Sequence, residues 1–323
     1  MSKDFRNLEK RTTQTEASDS VYKVNIDFVK LAPLMGGISF VLTILSVILI
    51  FTKGFNYGID FAGGTEIQIK LAQQVGIDEV RSAAEGSGIG NPSVQNFGEA
   101  NEFLVRFDNP VAKSEKETTA LIQTSVTNLR AGLEKSFSDK GLEVRRVDSV
   151  GPAIGAELKR NGILAALYSF LVILIYVAVR FDYKYAPGAV LCLVHDSLFT
   201  LGIFSLIGKE VNTQIMAAVL TLIGYSLNDT IVTFDRIRET APKNRDKSLK
   251  YIINRAINDM LGRTILTAGT TLLACTALYI AAGGVIEDIA FTLIIGILIG
   301  TYSSIYVAAP LILVMDKVQR SVA

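Results

Sequence analysis

The feature that most constrains this chain is a set of long apolar runs, each near the ~20 residues an α-helix needs to cross a hydrocarbon core. Six stand out: Leu31–Phe51, Ile163–Val179, Ala186–Ile207, Gln214–Phe234, Thr264–Ala282 and Ile286–Met315. Lipid offers a backbone no hydrogen-bond partner, so runs of this length are read as helices. The chain is therefore expected to be a multi-pass α-helical membrane protein with six transmembrane helices. Its 20% charged residues, against 50% hydrophobic, are fewer than a soluble protein of this size carries. Asn161-Gly162 and Ala186-Pro187 read as helix starts. Pro33 reads as a start residue of the first span, because proline in a first turn removes only an N–H that would be unpaired anyway. The last run is longer than a bilayer requires and is expected to tilt or protrude.

Lysine and arginine placement gives the orientation. Lys3, Arg6, Lys10, Arg11, Lys23 and Lys30 lie in the N-terminal tail, residues 1–30. Arg180 and Lys184 lie between spans two and three, and eight more cations run from Arg236 to Arg263 after span four. The opposite loops hold only Lys209 in one and no cation in Gly283–Asp288. Both termini, including the tail 316–323, are expected on the cytoplasmic side. The N-terminal tail has no apolar core and no small-residue cleavage site, so it does not read as a cleavable signal.

That topology places residues 52–160 outside, as a domain between the first and second spans. Thr65–Leu71 alternates as a strand, Ile77–Glu85 fits a short helix, and Gly86, Gly88, Gly90 and Pro92 punctuate the chain. Ser93–Phe97 and Glu102–Asp108 read as a hairpin around Glu99-Ala100-Asn101. Ser114–Phe137 fits a long amphipathic helix with Leu121, Val126, Leu129, Leu133 and Phe137 on one side, and Leu142–Val150 returns as a strand. Strand, helix, strand, strand, helix, strand is the order of a small ferredoxin-like α+β unit. On the other side, residues 235–262 read as a cytoplasmic amphipathic loop, with Ile252, Ile253, Ala256, Ile257 and Met260 on its apolar side. Two readings stand for it: a helix along the membrane surface, or a helix packed on the protein.

No soluble catalytic site is recognisable. A Gly-rich loop ending in Gly-Lys-Ser/Thr is missing, so ATP is not the expected energy source. A single histidine without clustered cysteines argues against a metal site, and no nucleophile pattern marks an enzyme. A net charge of +1 gives no reason to expect nucleic acid. Cys192 and Cys275 lie in apolar runs and read as small core residues.

The informative residues are polar groups inside the spans. Asp229, flanked by Asn228 and Thr230, lies ~8 Å from the inner end of span four, and His195-Asp196 lie ~13–15 Å into span three. Arg263 opens span five at the same side and could reach inward. A charge in hydrocarbon costs at least ~2.5–3.5 kcal/mol, so such groups face a partner or a water path. An aspartate beside an arginine stays ionised and a desolvated one takes a proton, so alternating between the two environments moves protons. The bland readings stay open: Arg263 as a positive-inside anchor, His195–Asp196 as a structural hydrogen bond, Asp229 as interhelical glue. Gly296, Gly300 and Ser304 make a small-residue face for close helix contact, within this chain or with a partner. Gly58, Asp60, Gly63 and Gly64 form a turn, with Asp60 bonding a nearby N–H, or a contact with a partner.

Five motifs in order resemble the SecF family of bacterial protein-export membrane proteins. They are Gly58-Ile-Asp-Phe-Ala-Gly-Gly64, Ser149-Val-Gly-Pro-Ala-Ile-Gly-Ala-Glu-Leu158, the segment Gly224–Glu239, Arg263-Thr264 and Gly300-Thr-Tyr-Ser-Ser304. The resemblance implies an RND-type half-array of six spans that pairs with SecD, in the inner membrane, assisting the SecYEG channel from the proton gradient. Preprotein, membrane lipid and YajC are further candidate partners on the same ground. Asp229 and Arg263 match the family's functional charged pair, and His195 and Asp196 match a family pattern. The proton is then the coupling ion and no other cofactor is expected. The competing readings are a proton-coupled exporter of lipid or small molecules, and a passive assembly factor for the channel.

Overall fold

The computed structural model describes residues 26–98, 100–110, 115–181 and 185–322. Most of the expected tail, the hairpin residue Glu99, the helix start Ser114 and Lys184 lie outside the described residues. The first described helix is α1 (Phe28–Thr52), whose start is set by Asp27 accepting the Lys30 N–H at 3.0 Å. Because the cap stands there, Pro33 lies inside the helix rather than at its start. A two-residue strand β1 (Asn56–Tyr57) and a short helix α2 (Ile59–Ala62) lead into the outer domain.

That domain comprises β2 (Gly64–Leu71), α3 (Ile77–Glu85), β3 (Ser93–Asn96), β4 (Glu102–Phe107), α4 (Glu115–Ser136) and β5 (Leu142–Val150). The sheet order is β3-β4-β2-β5 with every pairing antiparallel, the ferredoxin-like arrangement. Alternation in β2 sends Ile67, Ile69 and Leu71 to one face, where Val80 of α3 and Leu129 and Leu133 of α4 cover them. Glu66 and Gln68 consequently point to the other face, toward the membrane helices. Leu121, expected on the apolar side of α4, is 43% exposed, and the fully buried part of that side is Leu129 and Leu133.

Five further helices return through the membrane: α5 (Pro152–Arg180), α6 (Ala186–Ile207), α7 (Thr213–Lys243), α8 (Leu249–Ala281) and α9 (Val285–Ser303). A strand β6 (Glu210–Val211) separates α6 from α7 and pairs in parallel with β1. Helix α9 continues through a π turn, Ser304–Ala308, into α10 (Ala309–Val322). Among the described residues six helices are long and apolar enough to cross a membrane, the last running Val285–Lys317. The π turn lies just before Pro310, whose ring would clash with the i−4 carbonyl in a regular helix.

Two expectations change. Helix α5 starts at Pro152, eleven residues before the apolar run, since Pro152 at its first turn is already a helix start and Asn161-Gly162 is tolerated inside. Residues 235–262 do not form a separate surface helix. Helix α7 continues to Lys243 and α8 begins at Leu249, so the segment is the ends of two long helices, and its apolar side packs on the protein as the second reading has it. Ile252, Ile253, Ala256 and Ile257 pack on Phe28, Phe181, Phe234 and Ile237, because each buried isoleucine is worth ~1.5–3 kcal/mol.

Leu133 is fully buried between α4 and the sheet. Leu133→Ala should cost the outer domain about 2–5 kcal/mol. Hydrogen exchange should show faster exchange in β2 and β4 while the centres of α6 and α7 keep their protection.

Candidate functional site within and above the helix bundle

Helix α6 carries an unusual load for an apolar span. Asp196 is 1% exposed and lies ~16 Å from the outer end of that helix, near mid-membrane. Ser226 Oγ of α7 donates to its Oδ2 at 2.6 Å, and Ser303 Oγ of α9 donates to the same oxygen at 2.9 Å. His195 Nδ1 stands 2.9 Å from Oδ1, with the imidazole stacked on Phe199. Cys192 Sγ reaches Ser303 Oγ at 3.1 Å. One carboxylate therefore ties three helices. Glycine makes the approach close enough: a Cβ on Gly296 would collide with Leu222, and one on Gly300 would stand 3.1 Å from the Ser226 side chain. The small-residue face thus meets α7 of this same chain. Cys275, like Cys192, is a buried free thiol.

Asp229 stands three residues along α7 from Ser226, ~4.5 Å further toward the inner end. It is 7% exposed, while its neighbour Asn228 is exposed. Arg263 is exposed on α8, ~27 Å from the outer end of that helix; Asp229 is ~24 Å from the outer end of α7. Among the described residues the two form no ion pair, although they stand at similar depth on neighbouring helices. Arg263 does not open its helix, since α8 begins fourteen residues earlier.

At the outer end, Gly58, Asp60, Gly63 and Gly64 form the seat of the outer domain. The Asp60 carboxylate accepts the Thr213 N–H at 3.0 Å and also the Thr213 hydroxyl, at the first turn of α7. A side chain on Gly58 would run into Glu210. Gly63, at φ +77°, lets the chain turn beneath Pro152, the first residue of α5. Asp60 thus bonds an N–H far away in sequence rather than a nearby one.

Sequence reasoning missed a second tie. Arg106 of β4 pairs with Glu66 of β2 at 2.7 Å and with Glu210 of β6 at 2.5 Å. Lys209 pairs with Asp288 beside it, and the Phe97 ring sits against Gly284. Glu66, Glu210, Lys209, Asp288, Phe97 and Gly284 line a cavity of about 280 Å³ between the sheet and the bundle. Nothing local marks Arg106 or Glu210, whose partnership spans 104 positions. Ser303 was legible only as part of Gly300–Ser304.

Residues 132–318 match the family described as protein export membrane protein SecD/SecF, C-terminal, and residues 48–75 match the SecD/SecF GG motif. The chain belongs to the SecD/SecF family. It is 45% identical to the protein translocase subunit SecF of Calditerrivibrio nitroreducens over 92% of this chain and 96% of that one. It is 43% identical to the corresponding subunit of Vibrio alginolyticus over 83% and 82%. The crystal structure of SecDF from Thermus thermophilus, a translocon-associated membrane protein, superposes with a TM-score of 0.79 at 34% identity. That match covers 91% of this chain and 39% of the SecDF chain, so this chain spans about two-fifths of its length. The GG-motif match contains Gly58, Asp60, Gly63 and Gly64, the residues that join the outer domain to α5 and α7 in this SecD/SecF member.

Burial raises the Glu66 carboxyl above the ordinary glutamate value of 4.5, with Arg106 pulling the other way. A carboxyl raised in the folded state contributes stability that is complete below its unfolded pKa and lost as pH rises through the folded one. Wild type should therefore lose stability from this group as pH rises above 4.5, and Glu66→Gln should not, as read from unfolding at a series of pH values. Arg106→Met should cost about 3–5 kcal/mol at neutral pH, because it strands two carboxylates.

Proposed function

We propose that this chain is the SecF subunit of a SecD–SecF complex that helps preproteins cross the bacterial inner membrane, using the proton gradient. Both termini face the cytoplasm and the α+β domain faces the periplasm. The cation pattern supports this, since Arg180, Arg236, Arg238 and Lys250 lie at the bundle end opposite the domain. Asp229 carries the proton, with Arg263 as its charged counterpart on α8. The observation behind this is a sheltered carboxylate at the depth of an exposed guanidinium, held apart from it. An arginine left exposed at hydrocarbon depth needs company. Thr221, Gly224 and Asn228 of α7 and Arg263 and Thr267 of α8 are all exposed, and we assign this polar stripe to the SecD half. SecYEG, and YajC beside it, are the partners the whole complex would serve.

The geometry offers a route for coupling. Helix α7 runs ~24 Å from Thr213, held by Asp60, to Asp229. A shift of α7 on protonation reaches the seat of the outer domain through one rigid element. One proton moving down 100 mV supplies ~2.3 kcal/mol, enough to change the ratio of two domain poses about fiftyfold.

Asp229→Asn should reduce gradient-stimulated preprotein export to the level seen without a gradient, while SecD still co-purifies. Unchanged stimulation in that variant would rule out the proton role and leave a passive assembly part. Proton flux into liposomes holding the complex should fall with the same substitution.

A further inference from the structure

A groove of about 680 Å³ opens on the outside of the bundle between α1, α6 and the π turn with α10. Its floor is wide because α1 presents small residues there, Ala32, Gly36, Ser39 and Thr43. The walls are almost wholly apolar. Lys250 and Lys317 stand at one mouth, the end away from the outer domain, and both are exposed. From Val29 to Thr43 the groove follows α1 for ~21 Å, the thickness of one ~15 Å leaflet plus a headgroup layer. It does not continue, because Ser46 of α1 lies directly on Gly202 of α6, where a glycine Cβ would stand 2.5 Å from the serine side chain.

We propose that this groove is a binding site for one anionic glycerophospholipid of the leaflet facing away from the outer domain. The acyl chains lie between α1 and α6, and the phosphate sits between Lys250 and Lys317. Length and charge together select the occupant. A partner's transmembrane helix needs a channel across the full ~30 Å core, which the Ser46–Gly202 contact closes. A zwitterionic lipid would bring a third cation beside the two ammonium groups.

The test uses the purified SecD–SecF complex in nanodiscs of phosphatidylcholine, titrated with phosphatidylglycerol bearing a photoreactive acyl chain. Saturable labelling should fall on the α1 segment around Gly36, with one lipid per chain. Replacing both lysines, Lys250→Gln with Lys317→Gln, should weaken binding about thirtyfold, at roughly tenfold or less per lysine. The Lys250→Arg, Lys317→Arg pair should retain it. Unchanged binding in the glutamine variant, equal labelling by photoreactive phosphatidylcholine, or labelling of SecD helices in place of α1 would each overturn the assignment.

Discussion

Asp196 is held in the middle of an apolar bundle by hydrogen bonds from two other helices, and the packing of α6, α7 and α9 depends on it. An isolated carboxylate there would be expelled or neutralised. Ser226 and Ser303 donate to the same oxygen, and His195 engages the other. Satisfying that group requires three helices at one depth and rotation, a condition that apolar packing alone does not impose. Gly296 and Gly300 exist in this context as spacing, removing the side chains that would keep α9 from α7.

Asp229 contrasts with Asp196 in nearly every respect. It lies one turn along α7 from Ser226, yet has neither a hydroxyl donor nor an ion-pair partner at contact distance among the described residues. A carboxylate with all its bonds made is a strut. In the proposed role, one without such bonds changes charge without dismantling its surroundings. The two aspartates divide rigidity and responsiveness between them, and α7 carries both signals because it touches each.

The spans and the strand order of the outer domain were readable, because hydrophobic run length and two-residue alternation are local properties. Helix α5 was misplaced at its start since Pro152 lies in polar sequence, where apolar length carries no information. The segment 235–262 misled for a related reason: an amphipathic stripe is the same whether it meets lipid or Phe28 and Phe234. Asp229, Arg263 and His195-Asp196 were conspicuous as polar residues in apolar runs. Ser226 and Ser303 were not, since hydroxyls are ordinary in membrane helices. Arg106, Glu66 and Glu210 were hidden among surface-like charges, and only the docking of the sheet on the bundle gives them meaning.

The π turn at Ser304–Ala308 stores one surplus residue in the last span. Were it expelled to regular α geometry, everything after it would unscrew by about 100° and slide about 1.5 Å. Pro310 disfavours that relaxation, so the span is wound at a fixed pitch error. Side chains of α10 keep an azimuth that an uninterrupted helix would have assigned to their neighbours.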